Sequence, residues 1–174
     1  MKLDEYTRAV FCVIRARLTL DDSDRSYVAR HFRYVFQQVL YGYEDFGKKY
    51  ASRAAQAEYE RMGNEGQIIR WHVRDCRKFD KLGRQNGAFH MEHIFTLAMF
   101  RQALCRVPEC RLTESAVNRI VKANYAVAWI TKNENARLDE NGYKSKRGES
   151  LTDALNVYKK CAIELIDGNG EPVS

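Results

Sequence analysis

The most constraining stretch of this sequence is a short apolar run that passes directly into a helix start. Residues 125–130, Tyr-Ala-Val-Ala-Trp-Ile, have the length and composition of a buried strand. The next four residues, Thr131 to Glu134, match a capping box, in which the Thr oxygen accepts from the Glu134 amide and the Glu carboxylate reaches back to the cap. We therefore predict a strand followed at once by a helix, which ends at Asn141-Gly142.

The remainder of the chain is mainly helical in pattern. Apolar residues recur at spacings of three and four, and Ser, Thr and Asp stand at the expected starts. A short segment flanked by Gly87, residues 88–94, is predicted as a second strand. The predicted helices cover residues 6–18, the region of 28–40, 44–62, 67–82, 95–105, 113–122 and 151–161.

Charge and length limit the function classes. The 174 residues are enough for one domain, and 29 Lys and Arg against 23 Asp and Glu give a net charge of +6. A basic surface attracts phosphate backbones, although a soluble protein that is merely basic fits the charge equally well. No apolar run reaches the roughly 20 residues of a membrane span, and the acidic N-terminus is atypical of a signal peptide. We therefore expect no membrane partner.

The cysteines predict a reducing, cytoplasmic setting. Five cysteines are an odd number without a paired framework, so free thiols are the simpler interpretation. His72, Cys76, Cys105 and Cys110 are potential ligands of a structural Zn²⁺, but the pairs are far apart in sequence. Structural zinc is therefore disfavoured.

The densest group of potential catalytic side chains is His90, Glu92 and His93. A carboxylate oxygen suits Mg²⁺ or Mn²⁺, and a neighbouring neutral imidazole can take a proton from water. The capped helix offers Asn133 and Asn135, whose amide oxygens are hard, neutral ligands. The structural alternatives are a surface ion pair between His90 and Glu92, a hydrogen-bonded core histidine at 93, and asparagines that serve only the helix start.

The order of a strand ending in Glu-His-Ile, a second strand and an Asn-bearing helix resembles the HNH nuclease family over residues 86–140. The resemblance implies that Glu92 is the acidic metal ligand, here Glu where Asp is common, and that His93 is the general base. Asn135 then matches the helix-borne ligand, with Asn133 as the close alternative. His90 and Asn124 (or Asn118) would support the site. A helical insertion must fill the stretch between His93 and Asn135, and the usual Pro after the base is absent.

The resemblance also implies the fold. We predict an α+β, mostly helical protein with a helical region over residues 1–84, a ββα-metal core and a C-terminal helix within 85–166, and a flexible tail over 167–174. These parts are expected to form one compact unit.

The implied function is a divalent-metal-dependent endonuclease that hydrolyses DNA phosphodiester bonds with one Mg²⁺ or Mn²⁺, RNA not being excluded as substrate. The alternatives are a non-catalytic, basic helical nucleic-acid-binding protein of phage or bacterial type, and a helical protein-interaction module. The residues predicted to contact nucleic acid form two basic clusters, Lys144, Lys146 and Arg147 after the capped helix and Arg74, Arg77 and Lys78 before the first strand.

Overall fold

A computed structural model describes residues 3–18, 47–70 and 87–173 of the chain. In chain order its elements are α1 (Leu3–Leu18), β1 (Lys48–Ser52), α2 (Arg53–Arg61), β2 (Phe89–His93), α3 (Leu97–Cys105), α4 (Glu114–Asn124), β3 (Ala126–Thr131), α5 (Lys132–Glu140), α6 (Leu151–Lys160) and β4 (Leu165–Ile166), with 3-10 turns at Ile68–Arg70 and Glu109–Arg111. The α+β, mostly helical fold class is confirmed.

The chain forms two units that are discontinuous in sequence. One comprises Met1–Gly47 and Leu97–Tyr125, and the other comprises Lys48–Thr96 and Ala126–Ser174. This division differs from the predicted boundary near residue 84, because the chain leaves the sheet-containing unit after β2 and returns to it at β3.

The first unit is helical in its described part. α4 starts at the N-cap Thr113, whose side chain accepts from the Ala116 amide. Its apolar face buries Val117 and Val121, and α1 contributes Val10 and Ile14, all of them fully buried. These aliphatic faces supply the hydrophobic stabilisation of the unit.

The second unit contains a four-stranded mixed sheet in the order β2-β3-β1-β4. β1 runs parallel to β3, whereas β2 pairs antiparallel with β3 from Phe89↔Thr131 to His93↔Val127. Because every residue of β3 from Ala126 to Ile130 is buried, this strand is the centre of the unit. Its continuous apolar sequence fits a central strand covered on both faces.

The two faces of the sheet carry different layers. Phe89 and Trp129 lie on one face in an apolar cluster with Tyr59 of α2 and Ile68 of the 3-10 turn. Side chains alternate along a strand, so His90 and Glu92 project from the opposite face, where Glu92 is bonded to the segment that follows α5.

A buried carboxylate joins the starts of two helices. Ser52 caps α2 and Thr131 caps α5, each at the carboxyl end of a parallel strand. Glu134 is 4% exposed, and its Oε2 accepts from the Ser52 hydroxyl at 2.6 Å, the Thr131 amide at 2.8 Å and the Thr131 hydroxyl at 3.0 Å. The predicted capping box is therefore present, and its Glu134 also accepts a hydrogen bond from Ser52 at the neighbouring strand–helix junction.

Most predicted elements agree with the structure, and one helix was wrong in its first part. The helix expected over 44–62 is a strand at Lys48–Ser52 and a helix only from Arg53. Backbone pairing with β3 holds residues 48–52 extended, and Ser52 is the cap at which the helix starts. In the helix expected over 67–82, residues 68–70 form a 3-10 turn. Its later residues and the helix expected near 28–40 lie outside the described residues.

The C-terminal segment, predicted to be flexible, is hydrogen-bonded to β4. The Val173 amide donates to the Leu165 carbonyl, and the Asp167 amide donates to the Glu171 carbonyl. Residue 166 also bridges to Pro172.

None of the helices in the described segments combines the length and apolar content that a membrane span requires.

Replacing Glu134 tests the junction between the two caps. Glu134→Ala removes the acceptor of three hydrogen bonds and leaves the buried Ser52 hydroxyl without it, so we expect a loss of about 2–4 kcal/mol in the free energy of unfolding. Urea denaturation measures the loss. Glu140→Ala, an exposed carboxylate on the same helix, should stay within about 0.5 kcal/mol of the parent. Equal midpoints for the two variants would contradict this role of Glu134.

Candidate functional site

The predicted catalytic pair lies at the end of β2, opposite the start of β3. Glu92 pairs with Ala128 and His93 with Val127, and the Ile94 amide then donates to the Ala126 carbonyl. The strand register therefore fixes the backbone of both residues on a rigid element.

Glu92 and His90 form a close pair on one face of β2. His90 Nε2 lies 2.8 Å from Glu92 Oε2, as expected for side chains two residues apart in a strand. An ionised carboxylate only accepts hydrogen bonds, so this contact assigns the proton to Nε2 of His90. The Glu92 side chain is 14% exposed and that of His90 is 44% exposed, so the pair lies at the edge of the solvent.

Arg147 is the principal partner of Glu92. Its Nη2 donates to Glu92 Oε1 at 2.6 Å, and its Nη1 donates to the His93 carbonyl at 3.0 Å and to the Tyr158 hydroxyl at 3.0 Å. Its Nε donates to the Tyr143 carbonyl at 2.8 Å. Arg147 is 2% exposed. A buried guanidinium thus connects the end of β2, the segment after α5, and α6.

The Gly148 backbone sets the course of the chain directly after Arg147. Gly148 has φ +100°, and an added Cβ would lie 2.2 Å from the Cβ of Asp153. Asp153 belongs to a second capping box, with Ser150 as the N-cap of α6. Only glycine allows this close approach, which leads from Arg147 into α6.

Electrostatics keep Glu92 ionised. Burial raises the pKa of Glu92, but the His90 hydrogen bond and the Arg147 charge outweigh it, so that the pKa lies below its usual value. The carboxylate is therefore charged at neutral pH and available as a ligand or as an ion-pair partner.

His93 is buried and neutral. It is 8% exposed, and burial lowers its pKa from 6.5 to about 4. The Glu92 charge opposes this shift, whereas His90 and Arg147 add to it. At neutral pH the imidazole therefore has a nitrogen that can accept a proton. In a regular strand its side chain projects to the same face as Met91, opposite to that of Glu92.

The predicted asparagines lie on two different elements. Asn135 is half-buried in the first turn of α5, the helix that packs against both β2 and β3, and Asn133 is exposed on the same helix. Asn124 ends α4 in the helical unit, where its amide donates to the Ile120 carbonyl at 2.9 Å. Asn118 is also in α4. The structure therefore brings the Asn135-bearing helix onto the strand of Glu92, and it places Asn124 in a helix-end hydrogen bond.

The predicted nucleic-acid contacts divide into surface and buried residues. Lys144 and Lys146 are exposed, and Lys144 lies 3.5 Å from Asp139. Arg147 is inside the protein and bonded there, so its predicted contact with phosphate is replaced by the ion pair with Glu92. The other basic cluster, Arg74, Arg77 and Lys78, lies outside the described residues.

The side chains near β2 match a small divalent cation in chemistry. Glu92 offers a carboxylate oxygen, and α5 carries the side-chain amide of Asn135. Such oxygen-rich sets suit Mg²⁺ or Mn²⁺. Within the described ranges there is no cluster of three or more His, Cys, Asp and Glu with the arrangement of a metal site.

The sequence did not predict the roles of Tyr158 and Ser52 in this region, and it predicted Glu134 only as a capping residue. Tyr158 is fully buried against Arg147, and burial raises the pKa of its hydroxyl. Ser52 and Glu134 form the junction of the helix starts. Ser52 could have been recognised as a helix cap, because it is a capping residue type within an Ala-rich run. No local sequence pattern indicates that Tyr158 contacts Arg147.

Comparisons of the chain with protein-family models, with curated proteins and with solved structures return no match. The interpretation of the site therefore depends on its residues and their geometry.

Replacing Arg147 tests its role as the buried cation. Arg147→Met leaves the Glu92 carboxylate without its charged partner, so we expect the free energy of unfolding to fall by about 3–5 kcal/mol. Tyr158→Phe removes one hydrogen bond and should cost about 1 kcal/mol. The exposed neighbour gives the control, Lys146→Met, with a change under about 0.5 kcal/mol. Denaturant titrations of the three variants would reject the buried position if Arg147→Met and Lys146→Met behaved alike.

The buried imidazole predicts a specific dependence of stability on pH. The pKa of His93 is lower in the folded state than in the unfolded state, so its contribution to stability is complete above pH 6.5 and falls as the pH drops towards 4. The loss should reach about 3 kcal/mol. We expect the difference in unfolding free energy between the parent and His93→Gln to change by this amount over the range. Parallel stability curves for the two proteins would show that His93 is not held neutral by burial.

Proposed function

We propose that this protein is a divalent-metal-dependent endonuclease that hydrolyses DNA phosphodiester bonds in a cytoplasmic setting. The observation that supports the proposal most is local. An antiparallel strand pair has Glu92 and His93 at the end of its first strand, and the helix that follows the second strand packs across both strands and carries Asn135. This is the strand-strand-helix order expected from the resemblance to HNH nucleases.

In the proposed reaction, His93 accepts a proton from the attacking water, which requires its side chain, directed by a regular strand to the face opposite Glu92, to turn towards the Glu92 face at the end of β2. Its lowered pKa keeps the imidazole neutral at neutral pH, which is the form that a general base requires. As the oxygen of the water forms its bond to phosphorus, the bond between phosphorus and the 3′ oxygen breaks, and the leaving oxygen takes the electron pair. Glu92 and Asn135 would hold one Mg²⁺ or Mn²⁺, which supplies positive charge to the phosphate oxygens.

In this proposal Arg147 and Tyr158 orient the carboxylate of Glu92, the expected metal ligand, and do not contact the substrate. Arg147 binds Oε1 of Glu92 and Tyr158 binds Arg147, so that the orientation of the carboxylate is fixed from inside the protein. Oε2 faces His90 at the partly exposed edge. A preoriented carboxylate of this kind is what a precise metal site requires.

A second candidate is a non-catalytic nucleic-acid-binding protein. Two observations favour it, namely the burial of His93 to 8% exposure and the 2.6 Å ion pair that Glu92 already makes with Arg147. This candidate retains the net charge of +6 and the exposed Lys144 and Lys146 but requires no metal.

Cleavage of a supercoiled plasmid separates the two candidates. The parent protein should convert it to nicked or linear DNA with Mg²⁺ and leave it intact with EDTA. His93→Ala and His93→Gln should each cleave about 10²–10⁴ times more slowly, because a positioned base is lost, while DNA binding in EDTA is retained. Cleavage by both variants at the parental rate would exclude His93 as the base. A folded parent that binds but never cleaves favours the second candidate.

The two asparagines of α5 provide a matched pair for the metal ligand. Asn135→Ala should shift the Mg²⁺ concentration for half-maximal cleavage upward by about tenfold or more, because one ligand is lost. Asn133→Ala changes the same residue type on the same helix at an exposed position and should leave the Mg²⁺ titration unchanged. The reverse result would assign the ligand to Asn133, and two unchanged titrations would exclude both.

A further inference from the structure

A groove of about 500 Å³ lies between the segment after α5 and helix α6. Its walls include Tyr143, Arg147 and Gly148 from the segment and Asn156, Lys159 and Lys160 from the helix. We call this feature the α6 groove. Apart from Arg147, these residues belong to no site predicted from the sequence, and the candidate site at β2 does not include the residues of α6 that line the groove.

The positive charge of the groove comes from lysine side chains that are exposed to solvent. Lys159 and Lys160 are exposed, and neither makes an ion pair with another residue in the part of the chain that the structure describes. The acidic residue of the groove, Asp153, has its carboxylate oxygen bound to the backbone amides of Glu149 and Ser150 at 3.0 and 3.1 Å. Its bonds with Glu149 and Ser150, and to a smaller extent the Lys160 charge, lower the pKa of Asp153. In the described part of the chain neither ammonium group lies within ion-pair distance of a carboxylate.

Arg147 connects the α6 groove to the candidate site. Arg147 is one of the residues that line the groove, and its guanidinium binds Glu92 Oε1. Lys144 and Lys146 stand exposed on the segment that forms one wall. A ligand in the groove thus contacts the residue that holds the Glu92 carboxylate.

The polar groups of the groove are those that bind a phosphate backbone. Lys side chains attract phosphate as point charges, and Asn and Tyr side chains donate hydrogen bonds to phosphate oxygens without reading the base sequence. We propose that the α6 groove binds backbone phosphates of the DNA strand next to the bond that is cut. The inference depends on the proposed function for the identity of DNA as the substrate, but binding is tested without cleavage.

The test compares two double charge reversals in the full-length chain. Lys159→Glu/Lys160→Glu alters the groove, and Arg119→Glu/Lys122→Glu makes the same change in net charge on the exposed face of α4. Binding of a fluorescent DNA duplex is measured in EDTA over a range of salt concentrations. The groove variant should bind at least about tenfold more weakly than the control variant. The slope of its log affinity against log salt concentration should also be smaller in magnitude by about two than the slope of the control.

Each outcome of the binding experiment decides the proposal. Equal affinities and equal salt slopes for the two variants would overturn it, because the loss would then follow net charge rather than position. The milder Lys159→Gln/Lys160→Gln, which avoids a new acidic pair, should show an intermediate loss if both ammonium groups contact phosphates. If the parent binds DNA through the groove but fails to cleave a plasmid with Mg²⁺, the nuclease proposal fails while the groove assignment stands.

Discussion

The ion pair between the buried Arg147 and the partly buried Glu92 is the interaction on which the geometry of this site depends. Removing two charges from water is costly, and the cost is offset only when each charge has several well-placed partners. Arg147 meets this condition through one carboxylate, three backbone carbonyls and the Tyr158 hydroxyl. Because these partners lie far apart in sequence, the pair determines where the segment after α5 crosses the end of β2.

Glu134 provides a comparable constraint at the opposite end of the strands. It accepts from residues of two strand–helix junctions, so α2 and α5 start at fixed points along the sheet. The start of α5 in turn fixes the position of Asn135 in the helix that packs against β2 and β3. Two acidic residues, the buried Glu134 and the partly buried Glu92, thus hold the elements that carry the candidate site.

The parts of the fold that were predictable are those with local causes. The β3–α5 junction was correct because its capping box and its apolar run are adjacent in sequence. β1 was missed because Lys48–Ser52 is extended only through its pairing with β3, more than 70 positions away. The role of Arg147 was also beyond a local pattern, since a basic residue in a Lys-rich loop is normally solvated and its buried partner comes from β2. The candidate site was located by residue type, but the faces to which Glu92 and His93 point required the strand register.

The two strands of the site are separated in sequence by a helical segment, residues 97–125, and the ends of this insertion adjoin. The chain leaves the sheet at Ile94 and returns at Ala126, and the amide of the first bonds to the carbonyl of the second at 3.0 Å. The residues at which the chain leaves and re-enters the sheet are therefore neighbours, as in a hairpin whose turn has been replaced by a longer helical segment. Loop-closure entropy grows only slowly with length. Loop-closure entropy thus limits the length of the intervening helical segment only weakly, while the backbone bond between its ends preserves the ladder that positions the candidate site.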